Sequence, residues 1–185
     1  MIREYLGGEI LECRDEKTTH IKEIRFCVLY LGQRLVGFMN YFSGRSYYAP
    51  WVDLDYYPVP RDIEAEVFKR LSNLLDRGGR LLVSYYRDSE TLYALRKGIN
   101  PVLTPIGFSM LRAGMTWFKD LYFPEGGNES GPRLQGSKPT SEEECLRQLR
   151  ERLWEIEEFK SLSKSYDRTK AEIERILNER GCGKS

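Results

Sequence analysis

Between Lys22 and Ala113 the chain passes through three strand-like segments, a helix, a compact apolar strand and a second helix before Ile106-Gly107-Phe108, an order few folds use. Ile24 to Tyr30 is almost continuously apolar and β-prone, Gly32-Gln33 offers a turn, and Leu35 to Phe42 resumes as a strand, so a hairpin is expected. The third segment alternates. Val52, Leu54 and Tyr56 fall on one face, while Trp51, Asp53, Asp55 and Tyr57 fall on the other. Pro58 and Pro60 close it. The stretch before Lys22 reads either as an edge element or as the start of a helix.

Ile63, Val67, Leu71, Leu74 and Leu75 then recur at helical spacing, with Asp62 placed to cap the helix and Gly78-Gly79 to stop it. Leu81-Leu82-Val83-Ser84-Tyr85-Tyr86 follows as a compact strand. Its connection through a helix predicts parallel pairing with the third strand. A short helix opens at Asp88 or Ser89 and ends near Gly98, Asn100-Pro101 and Thr104-Pro105 mark loops, and Phe108 to Leu111 is expected to re-enter the sheet. The Gly-rich loop 124–132 has no buried periodicity. It reads as a surface connection or, because glycine amides can converge on an anion beside Arg133, as a binding loop.

After Pro139 the composition changes. Ser141 to Glu144 forms a capping box, Leu146, Leu149, Leu153, Ile156 and Phe159 follow at helical spacing, and a second helical piece carries Ile173, Ile176 and Leu177. The chain therefore divides into a body, residues 1–139, and a helical C-terminal extension, residues 140–185. The extension must bury its apolar stripe, either on its own body or against a second copy in a homodimer. Ten basic and eleven acidic residues follow Thr140, so this tail does not read as a nucleic-acid arm.

Charge excludes several other classes. With 29 basic and 28 acidic side chains in 185 residues, no global field draws the protein to nucleic acid or an anionic membrane. The apolar runs fall short of the ~20 residues that span a bilayer, and Met1-Ile2-Arg3-Glu4 begins no signal peptide, so a cytoplasmic protein is expected. Cys13, Cys27, Cys145 and Cys182 are widely spaced and contain no C-x-x-C pair, which predicts reduced thiols. With His20 as the lone histidine, neither a zinc centre nor a Ser-His-Asp arrangement is expected.

From about Lys22 to Pro139 the succession of elements, with Leu92-Tyr93 and Gly107-Phe108, resembles the GNAT N-acetyltransferase fold. More narrowly, it resembles an uncharacterised, largely archaeal family of domains grouped with those acetyltransferases. The resemblance implies an α+β fold: a mixed, mostly antiparallel twisted sheet flanked by helices, here followed by the helical extension. It implies transfer from acetyl-CoA or another acyl-CoA to an amine on a small molecule or peptide.

In that family a loop of the form R/Q-x-x-G-x-G/A wraps the cofactor pyrophosphate at the helix after the third strand. Arg61 matches its first position, and the implied phosphate contacts are Arg61 with the backbone at Asp62 and Ile63. Glu64 and Glu66 occupy the glycine positions. Two carboxylates about 4–8 Å from a pyrophosphate would each cost about 1–4 kcal/mol at an effective dielectric near 20, although acidic residues also stabilise a helix's first turn. Tyr93 matches the tyrosine that protonates the departing thiolate, but Gly98 follows one residue late. Asp53 or Asp55 lies where the family places a base for the amine, and both also fit a solvated strand face. The alternative is a non-catalytic ligand-binding or protein-interaction domain that kept the scaffold and lost the pyrophosphate loop.

Overall fold

The computed structural model describes residues 2–6, 9–17, 23–31, 34–45, 50–56, 59–121 and 131–179, with side chains described for 50–54 and from residue 59 onward within those ranges. Strands β1 (Ile2–Leu6), β2 (Glu9–Lys17), β3 (Glu23–Leu31), β4 (Arg34–Arg45), β5 (Pro50–Tyr56), β6 (Arg80–Ser84), β7 (Trp117–Asp120) and β8 (Arg133–Ser137) form an eight-stranded sheet in the order β1-β2-β3-β4-β5-β6-β8-β7. β5 and β6 are parallel, with Asp53 opposite Leu82 and Leu54 opposite Val83. The other described pairings are antiparallel. The chain's first segment is therefore an edge hairpin, not the start of a helix.

α1 (Arg61–Ser72) supplies the crossover between the parallel strands. Its cap differs from the expected one: Pro60 is the N-cap residue, no side chain caps the helix, and Asp62 lies inside the first turn. There its charge meets the positive end of the helix dipole. The helix also stops before Gly78-Gly79. Asn73 follows its last residue, and the Lys138 ammonium donates to the carbonyls of Ser72 and Leu75 at 3.2 and 3.1 Å. A cation from a distant segment thus braces the turn after the helix, where the Ser72 carbonyl also accepts from the Leu75 amide at 3.0 Å.

α2 (Ser89–Arg96) begins where its cap predicts, with the Asp88 side chain accepting from the Thr91 amide. Phe108 to Leu111, expected as a strand, instead belongs to α3 (Pro105–Arg112). Pro105 presets the first helical φ, the Thr104 hydroxyl accepts from the Gly107 amide at 3.0 Å, and Ile106 and Met110 share the buried face. Gly107 is required by contact: a Cβ there would lie 1.9 Å from the Pro101 carbonyl oxygen.

The tail folds as α4 (Glu142–Ile156) and α5 (Tyr166–Asn178). Ser141 accepts from the Glu144 amide at 3.1 Å, while the Glu144 carboxylate reaches the Thr140 amide at 2.6 Å. The return half of the capping box therefore falls one residue before the cap. Cys145, Leu149, Ile156, Tyr166 and Ile173 join one continuous core with Val52, Leu54, Phe68, Leu81, Val83, Ile106 and Met110. The tail's apolar stripe packs on its own body. Cys145 is disulfide-bonded, which corrects the expectation of reduced thiols at that position.

Candidate functional site at the carboxyl end of the parallel strands

Parallel strands deliver their chains to the same edge of a sheet, so α1 and α2 both begin beyond the carboxyl ends of β5 and β6. Helix N-termini favour anions, and in open α/β sheets this crevice is where ligands bind. The protein places its own carboxylates there. Arg61, the first residue of α1, donates from Nη1 to both carboxylate oxygens of Glu64 at 2.9 Å and from Nη2 to Asp88 Oδ2 at 2.5 Å. The other Asp88 oxygen caps α2 through the Thr91 amide at 3.1 Å. One guanidinium thereby ties together the first turns of two helices.

Glu64 is 3 % exposed, whereas the Arg61 side chain is 48 % exposed. Burial pushes the Glu64 carboxyl above its ordinary value; Arg61 and the Ser109 hydroxyl favour the ionised form and only partly offset that push. For Arg61, burial opposes the charge, but Glu64 and Asp88 more than reverse it and hold the guanidinium more firmly protonated than in water. Together the ionised triad carries one net negative charge. A phosphate entering here would have to take Arg61 from two carboxylates that remain beside it.

The expected contact residues are placed accordingly. Arg61 is at the site but engaged internally. Asp62 is exposed, and the Ile63 amide donates to the Pro60 carbonyl at 3.2 Å. Glu66, at the second glycine position of the resembled loop, forms an i,i+4 ion pair with Arg70 at 3.4 Å.

Asp53 lies on the face of β5 opposite Val52 and Leu54, so the sheet stands between it and the helix layer that packs on those two residues. Its Oδ1 accepts from Nε of Arg133, a side chain only 8 % exposed, at 2.8 Å. The side chain of Asp55 lies outside the described residues. Tyr93 is 67 % exposed on α2, with the Lys97 ammonium 5.6 Å from its ring centroid. The structure thus gathers Arg61, Glu64 and Asp88 into one cluster and puts Asp53 and Tyr93 on different layers.

Sequence reasoning did not anticipate Arg133 as the partner of Asp53, nor a second polar pair on the helix side of the sheet. There Tyr85, 1 % exposed, donates to Asp120 Oδ1 at 2.6 Å. Its signal was present as alternation: Leu81, Val83 and Tyr85 share the buried face of the β6 segment, and a buried tyrosine hydroxyl requires an acceptor. Stretch 124–130 of the Gly-rich loop lies outside the described residues. Among the described residues, no group of histidine, cysteine and carboxylate side chains could hold a metal ion, and no helix is long and apolar enough to cross a membrane.

These features define a mixed α+β protein whose paired helix N-termini are neutralised from within. The chain belongs to the family described as Protein of unknown function (DUF1122), which matches residues 7–165. It is similar to a crystal structure of a protein of unknown function, AQ1966, from Aquifex aeolicus VF5, with 29 % identity, a TM-score of 0.63 and 89 % of each chain covered. A search of curated proteins gave no match.

Proposed function

We propose that the protein is a GNAT-like scaffold acting as a non-catalytic ligand-binding or protein-interaction domain, without the usual seat for an acyl-CoA pyrophosphate. Supporting the scaffold half of this reading is the order β4-β5-β6-β8-β7, with its parallel pair crossed over by α1. The functional half is carried by the Arg61–Glu64–Asp88 cluster. The cation that a pyrophosphate would need is already shared by two carboxylates, one of them buried.

Acyl transfer to a small-molecule or peptide amine is the rival proposal. Asp53 at the parallel pair favours it, since a carboxylate there could accept an amine proton if it exchanged Arg133 for substrate. In that reading Tyr93 would be the acid, and Arg61 with the amides near Asp62 and Ile63 would hold acetyl-CoA or a longer acyl-CoA. Calorimetric titration separates the two. The binding-domain reading predicts no saturable heat with acetyl-CoA or longer acyl-CoAs up to millimolar concentration. Micromolar binding accompanied by acyl transfer to an added amine would overturn it.

The interaction reading extends to the tail, where Trp154 and Leu162 are 82 % and 70 % exposed beside the face already packed on the body. Pairing of two chains through α4 and α5 is the form of it that sizing chromatography reads directly.

A further inference from the structure

The helix pair α4–α5 carries a polar level inside its apolar face. The two helices pack together across the short link 157–165, and the Tyr166 hydroxyl bonds to Glu157 at that hinge. Leu149, Arg152 and Ile156 recur at helical spacing on the buried face of α4, and Tyr166, Thr169 and Ile173 do so on α5. Counted away from the hinge at about 1.5 Å per residue, Arg152 lies ~6 Å beyond Ile156 and Thr169 ~4.5 Å beyond Tyr166. Both therefore fall at one level, between Ile156 with Tyr166 and Leu149 with Ile173. The Thr169 hydroxyl is fully buried and has no hydrogen-bond partner among the described residues, and neither does Nε of the nearly buried Arg152. Nη2 of Arg152 donates to Glu155 at 2.6 Å, and Asn100 in the body donates to the other Glu155 oxygen at 3.1 Å. The guanidinium is thus held from the side of α4 and the body, not by α5.

We propose that α5 is a releasable strap: it opens from α4 and from the turn Pro101–Leu103 by itself, with the Arg152–Thr169 level as its weak point, while α4 and the body stay folded. A buried polar group without a partner has lost its water and gained no bond, so opening the interface restores hydration to both groups. The other attachments favour release of α5 over α4. α4 is capped by Ser141 and fully buries Cys145, Leu149 and Ile156, whereas α5 has no capping side chain at Ser165 and fully buries Tyr166 and Ile173 besides Thr169. A further tie to the body is the Arg168 guanidinium over the Phe108 ring, 4.2 Å from its centroid, a contact at the surface. Lys170 lies 3.8 Å from Glu157, beside the link, so this pair and the Tyr166 bond sit at the hinge end of the strap. Release uncovers Leu149 and Ile156, which α5 otherwise keeps from water.

The test is native-state hydrogen exchange of the full chain, read by mass spectrometry of peptides from α4 and α5. In the unaltered protein the amides of 170–178 should exchange at least about tenfold faster than those of 149–156, as expected for a helix that opens without global unfolding. Thr169→Val, which replaces the hydroxyl with a methyl group of similar size, should slow the α5 amides about five- to a hundredfold. Thr169→Ser, which keeps the hydroxyl, should not slow them. Equal protection of the two helices in the unaltered protein would overturn the independent release of α5. Exchange of α5 that is unchanged or quickened in Thr169→Val would overturn the buried hydroxyl as its weak point.

Discussion

At Arg61 the balance between burial and pairing gives Glu64 its own contribution to the pH dependence of stability. Glu64 is raised above its ordinary value in the folded state, so between the ordinary carboxylate value and that raised value the folded protein holds a proton that the unfolded chain has lost. Stability from this group is therefore greatest on the acid side of the window and declines as pH rises through it. Glu64→Gln should flatten that decline, read as urea midpoints at pH 4.5, 6 and 8. Arg61→Ala should cost about 1–3 kcal/mol, a figure discounted because the guanidinium is half exposed, and the loss should grow with pH as Glu64 is left charged and unpaired. A constant loss across that range would show that Glu64 does not depend on Arg61.

At the scale of elements, close packing of backbone on backbone is the sharpest constraint. Gly107 lets α3 lie against the turn at Pro101, so Gly107→Ala must push two backbones apart and should cost about 2–3 kcal/mol, read as a lower urea midpoint with unchanged slope. The hairpin of β3 and β4, the alternating β5 and the cap of α2 were legible because period-two patterning and capping chemistry are local. The sequence of β8, Arg133-Leu-Gln-Gly-Ser, has one large apolar residue and a glycine, so it carries no strand signal of its own. It becomes a strand because β6 and β7 flank it. α3 departs from the expected strand for a related reason: Phe108 to Leu111 is too short for its period to separate helix from strand, and the Thr104-Pro105 cap that decides it lies in what reads as loop. The contact of Arg61 with Asp88 spans 27 positions and exists only because parallel pairing brings both helix starts together.

For the molecule as a whole, the tail is structural. Burying Cys145, Leu149, Ile156, Tyr166 and Ile173 contributes about 1.5–3 kcal/mol per side chain, a sum comparable to the ~5–15 kcal/mol net stability of a typical domain. Truncation after Pro139 should therefore give a chain that associates or melts far below the intact protein, seen by sizing chromatography and thermal unfolding. A monomer with unchanged melting would contradict the packing. The central claim, that the helix N-termini are filled from within, is tested most directly by NMR of the Arg61 side-chain Nε–H and the Asp62 and Ile63 amides during titration with CoA. The account predicts that these signals stay in place up to millimolar ligand. Saturable shifts of all three would contradict it and restore the pyrophosphate site.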